Sequence, residues 1–270
     1  MSVLAWSLLG LSAVLLVAAG VRLAQMRAKY EQRGLLTRWP IRTVRLDQVD
    51  PVFATTPLGP SRDTEVAFVG AVGVPGGISD LETWVLCTLA KRRRAIFELG
   101  TCTGKTTYLL ARNCPADGVV TTITLSPEQA AAYARAPGDA AHDGRAAVRE
   151  SAFTTFYYTG TEVEPKVRQL FGDSKQFDPA PYERAFDLIF IDGSHARSYV
   201  ENDSRLALRM AAPGAIILWH DYRGPRRAQG VFRALNALAR ELPLRHIAGT
   251  SLVFHRVPHG TGAGDPAHAR

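Results

Sequence analysis

Two apolar runs constrain this chain most. Phe186-Asp187-Leu188-Ile189-Phe190-Ile191 and Ala215-Ile216-Ile217-Leu218-Trp219 are apolar almost throughout. A strand with one wet face alternates apolar and polar residues, whereas one apolar on both faces must be covered on both. That condition holds inside a parallel sheet flanked by helices. Around these runs, short apolar segments alternate with longer amphipathic ones from Gly76 onward, the pattern of repeated β-α units. Ser79 or Asp80 caps an expected helix through Ala90. Ala95–Leu99 is a strand followed by a glycine-rich turn and a helix over Thr106–Arg112. Val119–Leu125 is a β-branched strand, and Ser126-Pro127-Glu128 opens another helix with a cap and a first-turn proline. Val167–Phe171 is a further strand, Gly230–Glu241 a helix, and Arg245–Ala248 with Ser251–Val257 a closing hairpin. Pro137–Tyr158 is poorly periodic and reads as a surface excursion.

The composition is 46% hydrophobic and 21% charged, which supplies a core and excludes a wholly disordered chain. Cys87, Cys102 and Cys114 are too scattered for a disulfide scaffold or a structural zinc site. The formal charge of +7 suits nucleic acid or an anionic surface, so its distribution matters. Residues 3–21 carry no charge, a length able to cross a ~30 Å hydrocarbon core. A cleaved signal peptide ending near Ala18-Ala19-Gly20 is the rival reading, but no basic residue precedes the run. Arg22, Arg27, Lys29, Arg33, Arg38, Arg42 and Arg45 all follow it, which by the positive-inside rule places the following domain in the cytoplasm. Much of the basic excess is thereby topogenic, and no nucleic-acid partner is expected. The expected organisation is an anchor over 1–25, a basic connector over 26–75, a globular domain over 76–257 and a disordered tail over 258–270, with single-pass membrane localisation.

Three strand ends carry the chemistry. The first is Glu98-Leu99-Gly100-Thr101-Cys102-Thr103-Gly104-Lys105-Thr106. Glycines allow a sharp turn and a close approach of ligand to backbone, and the helix that follows offers free N–H groups. A P-loop needs four residues between its first glycine and Gly-Lys-Thr, and only three separate Gly100 from Gly104. A dinucleotide fingerprint is broken by Cys102 and Lys105. By itself the turn is a weak signal, with a purely structural turn as the rival reading. The second end is Ile191-Asp192-Gly193-Ser194-His195, and the third is Trp219-His220-Asp221-Tyr222. Either alone could be a helix cap. Two neighbouring ends presenting Asp192, His195, His220 and Asp221 to one sheet edge point to a divalent metal and a base.

From Gly76 to Val257 the chain resembles the class I S-adenosylmethionine-dependent methyltransferases, and within them the catechol- and macrolide-type O-methyltransferases. The residues that carry the resemblance are Glu98 through Thr106, Phe171-Gly172-Asp173-Ser174, Ile191 through His195, Pro213-Gly214-Ala215 and His220-Asp221. It implies a Rossmann-like α/β fold, a seven-stranded mostly parallel sheet with a reversed last strand. It also implies S-adenosylmethionine lined by Glu98, Gly100, Thr101, Thr103 and Gly104, with Ser174 at the adenine and Asp192 close by. Thr124 stands where the family carries an acidic residue on the ribose hydroxyls, so bidentate ribose binding is lost. Asp192, His220 and Asp221 fall on the metal-ligand positions, and His195 on the proposed base, making Asp192 and His195 the catalytic pair. Histidine at 220 disfavours Mg²⁺ relative to Mn²⁺ or Fe²⁺, and metal dependence stays open. The implied activity is O-methylation of a small-molecule hydroxyl. The alternatives are a P-loop-like ATPase or a membrane-tethered nucleotide-binding Rossmann-like protein without transferase activity.

Overall fold

The computed structural model describes residues 3–32, 40–130 and 133–259, and the chain divides into two compact units, Met1–Pro40 and Ile41–Arg270. The first unit holds one helix, α1 (Val3–Gln32). The membrane anchor, and with it the single-pass membrane localisation and the membrane as a partner, is corrected here. Among the described residues no helix is long and apolar enough to cross a membrane. Along the stretch 12–27, whose side chains are all described, Arg22 and Arg27 already break the apolar run. The expected tail beyond His259 and residues 33–39 of the connector lie outside the described residues.

The second unit is an α/β sandwich around an eight-stranded sheet. Its strands are β1 (Thr43–Val44), β4 (Ala95–Leu99), β5 (Val119–Thr124), β6 (Val167–Phe171), β7 (Phe186–Ile191), β8 (Ala211–Trp219), β9 (Arg245–Ile247) and β10 (Val253–Arg256). A separate two-stranded ribbon is formed by β2 (Thr55–Thr56) and β3 (Gly59–Pro60). The sheet order is β1-β9-β10-β8-β7-β4-β5-β6, and β10 alone runs antiparallel to its neighbours β8 and β9. This is the expected Rossmann-like sheet with a reversed final strand. The addition is β1, which pairs in parallel with β9 and comes from the segment assigned to the connector. Val49 and Phe53 from the same segment are buried in the core, and Phe53 meets Trp84 edge-on at 5.3 Å.

The helices are α2 (Asp80–Ala90), α3 (Lys105–Asn113), α4 (Pro127–Ala130), α5 (Ala141–Glu150), α6 (Arg197–Met210) and α7 (Gln229–Leu238). Ser79 is the cap of α2: its Oγ accepts from the Glu82 N–H at 3.3 Å, while Glu82 Oε2 accepts from the Ser79 N–H at 2.9 Å. That reciprocal pair is a capping box. The surface excursion is more structured than its sequence suggests, since it contains α5 and the buried Phe156 and Tyr158. Helix α5 has polar residues and Gly144 in its interior, so no apolar stripe announces it.

What positions the site is register. Leu99 pairs with Ile123 on one side and Ile191 on the other, and Ile191 pairs with Trp219. Strands β4, β5, β7 and β8 therefore end level, and Gly100, Thr124, Asp192 and His220 emerge side by side. Between β4 and β7 the strand order reverses, the place where open α/β sheets bind ligands.

Candidate active site

The first turn is built by exclusion of side chains. Gly100 has φ 107°, and a Cβ there would lie 2.3 Å from the Asp192 carbonyl oxygen, so only glycine lets β4 and β7 end against each other. Gly104 caps α3 with φ 74°, and a Cβ there would meet Phe156 Cβ at 2.8 Å and Tyr158 Cε1 at 3.0 Å. The aromatic pair occupies that face of Gly104.

Glu98 lies below the turn, fully buried. Its Oε2 accepts hydrogen bonds from Thr107 and, at 2.7 Å, from Thr122, whose hydroxyl also meets Thr101 at 2.8 Å. Burial pushes its carboxyl up to about 8, against the pull of the two threonine hydroxyls. Glu98 thus supports the turn from beneath and lines neither cleft.

Two clefts open at the sheet edge. The first, of about 550 Å³, is bounded by Thr124, Asp173, Ser174, Tyr133, Tyr199 and Asp203. The second, of about 970 Å³, is bounded by Thr101, Thr103, His195, His220, Asp221 and Arg223. Gly100, Cys102, Glu150 and Asp192 belong to both, so the clefts meet at the end of β7. Of the residues expected on the cofactor, Thr124 and Ser174 stand in the first cleft, Thr101 and Thr103 in the second, and Gly100 and Asp192 where they join.

The charged cluster differs from expectation in one assignment. His195 Nε2 lies 2.5 Å from Asp221 Oδ2. Burial lowers the pKa of this imidazole, but the hydrogen bond and charge of Asp221 overcome it and push it up to about 9. His220 is committed on both nitrogens, donating from Nδ1 to Asp192 Oδ1 at 2.8 Å and facing Glu82 Oε2 through Nε2 at 3.4 Å. Burial opposes its charge, yet Asp192 and Asp221 hold it well above the ordinary histidine range. Glu82 is itself fixed by Ser251, whose N–H and hydroxyl donate to Oε1 at 2.6 and 2.7 Å. Asp221 sits at φ 61°, a left-handed conformation that aspartate tolerates, with Arg223 Nε 2.6 Å from its Oδ1. Despite burial, His220 and His195 keep Asp221 below the usual carboxylate range, while burial raises Asp192.

A group of three side chains offers ligand atoms within 4.8 Å of one another: Asp192, His195 and Asp221. His195 therefore takes the place in that set that sequence gave to His220. Two carboxylate oxygens and an imidazole nitrogen form a donor set that fits a divalent ion, and suits Mn²⁺ or Fe²⁺ better than Mg²⁺.

Several site residues escaped the sequence reading. Glu82 was visible only as half of a capping box. Tyr133 stacks on Tyr199 at 4.7 Å and meets the Ser194 hydroxyl at 2.5 Å. Asp203, from α6, is buried beside Gly193, and burial pushes it up to about 6. Glu150 comes from the unrecognised α5. Only the pairing of Asp173 with Ser174 after β6 gave a local signal for this wall.

Comparison with known proteins places this geometry. No curated protein matches the chain. Among solved structures, the chain is similar to the O-methyltransferase TomG of Streptomyces achromogenes, solved with SAM. The two are 21% identical over 67% of this chain and 82% of that one, with TM-score 0.47. It is likewise similar to an O-methyltransferase of Bacillus cereus solved with SAH (22% identity, 67% and 83% coverage, TM-score 0.44). A third is the Podospora anserina methyltransferase PaMTH1, solved with SAH (17%, 67% and 80%, TM-score 0.49). Residues 97–222 match the family model described as a methyltransferase domain. That stretch runs from the middle of β4 to just past the third strand end and takes in all three motifs, so the match to a methyltransferase domain covers the strand ends that form the site.

Proposed function

We propose that the protein transfers a methyl group from S-adenosylmethionine to a hydroxyl of a small molecule, with the cofactor reaching from the first cleft and the acceptor held in the second. The observation that carries this reading is the junction of the clefts. Gly100, Cys102, Glu150 and Asp192 are common to both, so a group bound in one faces a group bound in the other.

When bound, S-adenosylmethionine supplies an electrophilic methyl carbon on a sulfonium that departs as a neutral thioether. The chain has to hold the two reactants in line and accept a proton. Thr124 and Ser174 supply polar contacts along the first cleft. Gly100 lets the backbone approach, and the Asp192 carboxylate presents negative charge at the junction. Thr101, Thr103 and Arg223 give the second cleft a polar lining suited to a hydroxylated acceptor. His195 takes the acceptor proton at Nδ1, while its Nε2–H donates to Asp221, which orients the ring and stabilises the imidazolium that results. A divalent ion, where the reaction uses one, would be held by Asp192, Asp221 and His195, would lower the pKa of the acceptor hydroxyl, and would take the place of His195 as the group that activates it. His220 is excluded from that role by its two carboxylate partners, and holds Asp192 instead.

The ATPase reading is disfavoured by Lys105. Its ammonium donates to the Gly70 carbonyl and is unavailable to a phosphate. The activity test is incubation of the protein and methyl-labelled S-adenosylmethionine with fractionated lysate. Label appearing in a small hydroxylated compound is expected; label in no fraction, or on a macromolecule alone, contradicts the proposal.

A further inference from the structure

The Gly-Lys-Thr triplet at the start of α3 is left without a phosphate to bind, yet Lys105 is only 5% exposed. Burying an ammonium is costly unless its donors are met. Here the partner is a main-chain carbonyl, Gly70, in a segment without regular secondary structure. Side chains of α2, α3 and their flanks stitch that segment down along its length. Lys91 Nζ donates to the Asp63 and Glu65 carbonyls at 2.7 and 2.8 Å, and Trp84 Nε1 to the Thr64 carbonyl at 2.9 Å. Asn113 both accepts from the Ala67 N–H at 2.8 Å and donates to its carbonyl at 2.9 Å. Asp80 accepts from the Ala71 N–H at 3.3 Å. Lys105 and Asp80 are the last ties before the chain turns, through Gly73 and Gly76 at positive φ, over the second cleft. There Val74, Gly76, Gly77 and Ile78 form part of its wall. The wall rests on the catalytic turn: Cys102 Sγ lies 3.6 Å from the Pro75 carbonyl, and a Cβ at Gly76 would come within 2.8 Å of it.

We propose that Lys105 is a positioning residue for the acceptor side of the site, its buried ammonium tying down a strap over 63–71 so that residues 74–78 stand as a fixed wall above Cys102. The identification of that side as the acceptor side rests on the methyltransferase reading; the strap does not. Ile78 anchors the far end of the wall in the core, while its near end has only the turn hydrogen bonds of Val74 N–H to the Ala71 carbonyl and Gly77 N–H to the Val74 carbonyl, so the position of that end is set at the ties. Loss of the Lys105 tie frees that end of the wall without altering the sheet edge beneath it.

Cys102 is the reporter, because Cys87 and Cys114 are buried and serve as internal controls. The full-length protein is alkylated with iodoacetamide and each cysteine followed by peptide mass spectrometry, in wild type, Lys105→Met, Lys105→Arg and Asp80→Ala. Losing a hydrogen bond from a charged donor raises the open population, so Cys102 labelling should accelerate roughly tenfold or more in Lys105→Met. Asp80→Ala should accelerate it less, and Lys105→Arg should stay near wild type. Equal Cys102 rates in wild type and Lys105→Met overturn the proposal. Parallel acceleration of all three cysteines in both Lys105→Met and Asp80→Ala also overturns it, since that is global loosening. Titration of S-adenosylhomocysteine into the wild type is read separately: its failure would remove the methyltransferase reading and leave the strap result standing.

Discussion

The sheet edge and the segments that cover it are built on opposite principles. At the edge, four strands end level because their apolar residues are paired in fixed register, and the reactive groups follow as the next residue in each chain. In the cover, 63–78 and 133–158, the apolar residues follow no sheet register, and position is set at a few buried anchors, Ile78, Phe156 and Tyr158, and by individual side-chain ties such as Lys105 to Gly70 and Tyr133 to Ser194. A rigid edge with a stitched cover separates two requirements. Chemistry needs groups held to fractions of an ångström, while the shape of the acceptor site can vary tie by tie.

Breaking the edge should have the largest effect. Gly100→Val places a Cβ against the Asp192 backbone and forces a β-branched residue to φ 107°, so it should destabilise the domain by about 4 kcal/mol and abolish cofactor binding. Thermal unfolding and titration of S-adenosylhomocysteine measure both; an unchanged melting temperature would show that the two strand ends are not locked together. Next in size, His195→Ala should lower kcat by roughly 10²–10⁴-fold with cofactor affinity kept, as expected for loss of a general base. The same residue sets a pH dependence. His195 must be neutral to accept a proton and is pushed up to about 9, so turnover should climb from neutral pH and level off above about 9. A profile flat from pH 7 to 9 would remove His195 from the proton path.

A smaller effect probes the support of the edge. Glu98 has its folded pKa raised to about 8 from an unfolded value near 4.5, so the folded state binds the extra proton between those values. Its contribution to stability is complete below about 4.5 and is lost as pH rises through about 8. Glu98→Gln, which stays neutral, should flatten that slope in urea unfolding between pH 5 and 8.5; an unchanged slope would place the titration elsewhere. The smallest effect expected is at Thr124, where Thr124→Val removes one polar contact and should weaken S-adenosylhomocysteine by about three- to tenfold. Thr124→Glu, restoring a carboxylate at that strand end, should strengthen it, and weakening would show that the ribose lies elsewhere.

The edge was legible in the sequence and the cover was not, for reasons that can be named. Phe186–Ile191 and Ala215–Trp219 announce themselves as doubly covered strands, and the groups that follow them are the next letters in the chain. The second partner of His220, Glu82, comes from α2, 138 residues away, and nothing local reports that pairing. Helix α6 was missed because Asp203 and Ser204 interrupt its apolar stripe at buried positions, the latter accepting from Trp219 Nε1 at 2.9 Å. Helix α5 hides behind Gly144, where a Cβ would crowd Tyr133 Cε1 at 3.0 Å. The arginines after residue 21 were read with the apolar run as topogenic. Part of the following segment, from Ile41, instead belongs to the α/β unit, where Arg256 Nη2 donates to the Val49 carbonyl at 2.9 Å.

The central claim is that the level strand ends form one S-adenosylmethionine site whose two clefts meet at Asp192. Isothermal titration of the full-length protein with S-adenosylhomocysteine, and in parallel with ATP, tests it most directly. One-to-one binding of S-adenosylhomocysteine, weakened in Asp192→Asn, with no heat from ATP, is the result predicted. Binding of ATP without S-adenosylhomocysteine, or S-adenosylhomocysteine affinity indifferent to Asp192→Asn, would contradict it.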